Sequence, residues 1–125
     1  MNHKRSSTGF LIKQRLFLKA YLISFIEDGR PYGTQMLDEL KEQFKPYGFS
    51  PNHAELYRAL YELIEEGVLR STKRKLREDS FQEVNVYYFR DSAKSHKIKQ
   101  EAFDEMVRSH AILEKAINDL RDETE

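Results

Sequence analysis

Residues 50–67, SPNHAELYRALYELIEEG, mark both ends of one helix, and a fold for this chain has to be arranged around it. Ser50 is suited to cap the first turn, Pro51 to the first helical position, where its missing N–H is no loss, and Gly67 to a left-handed stop. Between them Leu56, Tyr57, Leu60, Tyr61, Leu63 and Ile64 recur at three- and four-residue spacing. That spacing turns them toward a core and leaves Asn52, His53, Glu55, Arg58, Ala59 and Glu62 outside. Asn, His and Arg side chains near a helix N-terminus can hydrogen-bond to base edges in a major groove. The same face on most helices is simply solvated, so the flanking segments decide between the two.

Charge is the first thing the flanks supply. The 125 residues have a formal net charge of zero, but unevenly spread. Residues 1–26 hold Lys4, Arg5, Lys13, Arg15 and Lys19 without an acid, and residues 70–77 hold Arg70, Lys73, Arg74, Lys75 and Arg77 without an acid. The excess acid lies in the remainder, and a polyanion responds to the local field of the surface it meets.

Along the chain, residues 2–8 read as a basic arm ending in a helix cap at Ser7 or Thr8. A first helix follows over 10–28, apolar nearly all round in its second half, with Lys13, Arg15 and Lys19 on its solvent side. A second helix spans 33–44, turning Met36, Leu37, Leu40 and Phe44 inward before Pro46 and Gly48 end it. Beyond the third helix, 68–75 and 81–89 read as two strands of a hairpin, since Val84, Val86 and Tyr88 alternate with Glu83, Asn85 and Tyr87; Arg77 to Ser80 form its tip. Three helices and then a basic hairpin is the order of a winged helix, an α+β, mainly helical fold. A DNA-binding unit over 1–90 is expected from it.

From a cap at Asp91 to about residue 121 the chain lacks Gly and Pro and reads as one long helix. Phe103, Met106, His110, Leu113, Ile117 and Leu120 fall at heptad a and d positions, so 91–125 is expected to pair two chains into a homodimer in coiled-coil fashion. A two-fold dimer would carry two third helices toward neighbouring major grooves.

Catalysis finds no support in the residues. There is no cysteine, and His3, His53, His96 and His110 are not at metal-ligand spacing. No cofactor motif appears, because the five glycines all fall at expected element boundaries and leave none for a phosphate loop. The longest apolar stretch, 20–26, is too short to span a bilayer and contains Ser24, and the N-terminus lacks a secretory segment. A cytoplasmic, nucleoid-associated protein without a membrane partner is therefore expected. Arm, early first helix, third-helix N-terminus and wing together are the parts with which a winged helix grips double-stranded DNA, cations on phosphates and helix 3 on bases. A protein-interaction module of the same fold that binds no DNA is the competing reading.

Several strings in the chain are specific beyond the fold. Lys4-Arg5-Ser6-Ser7-Thr8-Gly9-Phe10-Leu11, Lys13-Gln14-Arg15, Phe17-Leu18-Lys19, Tyr32-Gly33, Pro51-Asn52-His53, Tyr57-Arg58, Gln82-Glu83-Val84 and Glu114-Lys115-Ala116 closely resemble the bacterial replication terminator protein family, almost end to end. The resemblance implies a homodimeric winged helix that binds terminator sites as two cooperating dimers and blocks a replication fork arriving from one side. It implies DNA contact at Lys4, Arg5, Lys13, Arg15, Asn52, His53, Arg58 and the bases of the wing, and dimerisation through the final helix. It also implies contact with a replicative helicase near residues 27–31, a segment that departs from the family pattern. A weaker similarity to PadR-like transcriptional regulators, which also pair through a C-terminal helix, implies promoter control instead.

Overall fold

In the computed structural model, residues 9–75, 77–79 and 81–122 are described. Lys4, Arg5 and the expected cap at Ser7 or Thr8 lie outside them. The elements run α1 (Gln14–Glu27), α2 (Gly33–Phe44), a 3₁₀ turn (Lys45–Tyr47), α3 (His53–Glu65), β1 (Leu69–Lys75), β2 (Glu83–Phe89) and α4 (Ser92–Leu120). Helices with a two-stranded antiparallel wing give the α+β winged helix that the element order predicts.

The first helix starts later than its hydrophobic pattern suggests. Lys13, extended at φ −76° and ψ 143°, takes the N-cap position. Backbone groups just upstream are used by α4: the Ile12 N–H donates to Ser109 Oγ at 2.7 Å, and Arg108 Nη1 donates to the Gly9 carbonyl at 3.0 Å. With partners already supplied, the segment has no need of helical bonds.

In α3 the cap is Asn52, and Ser50 and Pro51 lie before the helix. Asn52 Oδ1 accepts the Glu55 N–H at 2.8 Å, the first half of a capping-box frame in which the acid stands three residues on. The C-terminus stops at Gly67, φ 79°, with Val68 N–H on the Leu63 carbonyl at 2.9 Å and Gly67 N–H on that of Ile64 at 3.0 Å. That pair of bonds is a Schellman stop, and it turns the chain straight into β1.

Leu18 and Leu22 of α1, Met36 and Leu40 of α2, and Leu56 and Leu60 of α3 are buried in one cluster, closed by Leu69 and Tyr87 of the wing. Burial raises the Tyr87 phenol to about 12. On α3 the sequence pattern is corrected at two positions. Ala59 is fully buried, whereas Tyr61 is exposed and outside the core. Ala59 continues the row of Leu56, Leu60 and Leu63, where a small side chain lets α3 lie close to its neighbours.

The wing pairs Leu69 with Phe89 through to Lys75 with Glu83. Pro31 and Tyr32 add a third rung: Tyr32 bridges Val86, and the Tyr87 N–H donates to the Pro31 carbonyl at 3.0 Å. The wing root is thus tied to the turn ahead of α2.

Asp91 caps α4 as expected, accepting the Lys94 N–H at 3.1 Å, and Lys94 Nζ reaches the Glu66 carbonyl at the end of α3. Ser95, Ala102 and Ser109, at heptad spacing, are buried, and α4 packs on α1 along them. Small residues there allow close approach. Phe103, Val107, Leu113, Ile117 and Leu120 of α4 are all exposed; Leu113, Ile117 and Leu120 continue the packed face past Ser109, and Phe103 and Val107 flank it. No helix among the described residues is long and apolar enough to cross a membrane.

Candidate nucleic-acid interface

Packing of Leu56, Ala59, Leu60 and Leu63 inward leaves Ala54, Arg58, Tyr61 and Glu65 on the outer surface of α3, with His53 and Asn52 at its start. His53 stacks on Tyr57 with ring centroids 4.5 Å apart. Asn52 spends its carbonyl oxygen on the cap, and its amide NH₂ remains on the surface. Arg58 is 60% exposed and gives Nη1 to Glu55 Oε2 at 2.9 Å. Sequence reasoning placed Tyr61 in the core, so the surface tyrosine was missed; a hydrogen bond with Glu65 raises its phenol pKa.

The acids of α3 would repel a polyanion if left alone. Instead α1 supplies cations to Glu55, Glu62 and the C-capping Glu66. Arg15 Nη1 pairs with Glu62, and its Nη2 stands 3.5 Å from Glu55 Oε1. Lys19 Nζ lies 3.0 Å from both Glu62 Oε1 and Glu66 Oε2. Lys19 is therefore a buried strut between helices, not the solvent-side cation the sequence suggested. Burial pulls its pKa down, but the bonds to Glu66 and Glu62 outweigh that and leave it raised. The ammonium donating to Glu62 holds that carboxyl below its ordinary range. Of Lys13, Arg15 and Lys19, only the N-cap residue Lys13 stays exposed with no ion-pair partner among the described residues.

In β1 only Leu69 is buried, and the six residues after it are exposed. Alternation sets Arg70 and Arg74 on one face of the ribbon, Lys73 and Lys75 on the other. Arg70 lies over the Tyr88 ring, 4.8 Å from its centroid, a cation–π contact that stiffens the root of the wing. Lys73, Arg74 and Lys75 have no ion-pair partner among the described residues, and Arg77 has only a loose one, 3.8 Å to Asp79. Phe81, 98% exposed, lies two residues ahead of β2, which begins at Glu83 and not at 81 as the alternation suggested.

The structure thus brings together the α3 surface and its α1 supports, and extends a cationic ribbon from the end of α3. The six residues read as a seam on α4 separate: Met106 is half-buried, while Phe103, His110, Leu113, Ile117 and Leu120 are exposed.

The sequence model of the replication terminator protein family matches residues 9–120. Replication termination proteins of Bacillus spizizenii, Bacillus subtilis and Bacillus vallismortis are each 45% identical to this chain over 116 residues, covering 93% of it and 95% of their own length. With a winged helix, a capped third helix and a basic ribbon already in place, the match extends across every element described, and the chain belongs to the replication terminator protein family.

Proposed function

We propose that this chain acts in replication termination as a homodimer that binds double-stranded terminator sites in a sequence-specific manner and arrests forks arriving from one side. Family membership supports the role, and the exposed wing carries the DNA-binding half of it. Three adjacent cations, Lys73, Arg74 and Lys75, are held on a paired ribbon and make no ion pair among the described residues, as suits phosphate contacts. Arg58, projecting from the first turns of α3, is the side chain best placed to read a base.

Dimerisation through α4 is favoured by its exposed large apolar residues, since Phe103, Leu113, Ile117 and Leu120 otherwise stand in water. Residues 91–125 then serve as the pairing helix and 1–90 as the DNA-binding part. No cofactor is needed for binding and arrest, and the protein works at the nucleoid in the cytoplasm. Two dimers on one site, and contact with the replicative helicase beside residues 27–31, complete the reading. In that segment Arg30 is tied to Glu39 at 2.8 Å and lies over the Phe25 ring.

Retention on duplex DNA across a salt series tests the binding. Log affinity falling steeply and linearly with log salt is the expected outcome. Failure to bind at low salt would leave a protein-interaction module.

A further inference from the structure

Arg15 was assigned to the DNA backbone by its basic surroundings, yet its guanidinium is turned into the protein. Nη1 meets Glu62, Nη2 faces Glu55, and Nε is buried. Glu55 in turn accepts from Arg58 Nη1 at 2.9 Å. Signs alternate along the whole line, from Lys19 through Glu62, Arg15 and Glu55 to Arg58. Because Glu55 takes Nη1, the Nε–Nη2 edge of Arg58 is left for the paired acceptors of a guanine.

We propose that Arg15 is a positioning residue for base reading: acting through Glu55, it holds Arg58 in its reading geometry and makes no phosphate contact of its own. The proposal rests on the DNA-binding reading above. A free arginine must give up several rotatable bonds on docking, and a side chain already held by a carboxylate gives up fewer. Without Arg15, Glu55 would lose one of its two counter-ions, draw Arg58 closer as the sole remaining one, and present uncompensated charge to the duplex.

The test measures the full chain on two probes, the tightest duplex selected from a random library and a random duplex, across a salt series. Arg15→Gln should weaken the selected duplex about tenfold, with random duplex nearly unaffected and the salt slope unchanged. Glu55→Gln should do the same, which keeps the test open if Arg15→Gln folds poorly. In an Arg58→Ala background neither change should cost anything further, and Arg15→Lys should restore only part of the loss. A slope reduced by about 0.9 with equal losses on both probes would make Arg15 a phosphate contact and overturn the proposal. Losses that add to those of Arg58→Ala would overturn it too. If Arg58→Ala alone weakened both probes equally, base reading by Arg58 would fail, and the proposal with it.

Discussion

Tyr57 lies against Gly33 so closely that a Cβ at residue 33 would overlap its hydroxyl and stand 3.0 Å from its Cζ. The first residue of α2 thereby seats the ring on which His53 of α3 stacks. Gly33→Ala sets a gain in helix propensity of up to about 1 kcal/mol against a clash of about 1–3 kcal/mol. The ring is rigid and held by its neighbours, so the clash wins. Thermal unfolding should show a net loss of about 1 kcal/mol. Adding Tyr57→Phe removes the nearest atom and should recover part of it; a stabilised single mutant would show that α2 and α3 yield freely.

The line between legible and hidden structure follows the range of the interactions. Gly67, Asp91 and the bounds of α2 were readable because caps and stops are local chemistry. Lys19 was misplaced because its partners Glu62 and Glu66 are far away in sequence and meet it only once α1 packs on α3. Tyr61 was misplaced because apolar residues at 56, 57, 60, 61, 63 and 64 cover nearly half of the helix circumference, a stripe wider than the face that packs. Periodicity cannot then choose which edge faces in, and Ala59, too small to count in an apolar pattern, decides it. Ser95 and Ser109 escaped for a like reason: they bury by being small, beside a louder stripe of large residues.

The Lys19–Glu62 pair sets a pH window. Glu62 is depressed, so its contribution is present above its ordinary value of 4.5 and is lost as pH falls through the folded value below that. Lys19 is raised, so its contribution holds below its ordinary 10.5 and is lost as pH rises through the folded value. Lys19→Met should therefore cost about 1 kcal/mol at neutral pH and progressively less in acid, as denaturation at several pH values would show. A constant difference between mutant and parent would mean that packing, not charge, is what Lys19 supplies.

At high pH a second group acts. Tyr87, pushed up to about 12, stays neutral in the fold while unfolded chains ionise from an ordinary 10. Stability should fall over that interval and the fall should flatten in Tyr87→Phe.

In the wing, Lys73→Ala with Arg74→Ala should weaken all duplexes similarly and lower the slope of log affinity against log salt by about 0.9 for each phosphate contact removed. An unchanged slope in the double mutant would place the ribbon away from DNA.

Leu113 stands exposed on the same face of α4 as Ser95, Ala102 and Ser109, one turn beyond the last buried residue of the edge that packs on α1. Leu113→Asp should leave the packing of α1, α2 and α3 intact and produce a folded monomer, with site affinity reduced by about 10² or more as the tethered second half-site is lost. Sedimentation settles the point: a persisting dimer would exclude this face as the seam.

A map of the positions this protein occupies along the whole chromosome of its host tests polar termination most directly. The account predicts a few strongly occupied sites around the replication terminus, oriented in opposed sets on its two sides. Occupancy spread over promoters without orientation would contradict it and make the chain a transcriptional regulator built on the same winged helix.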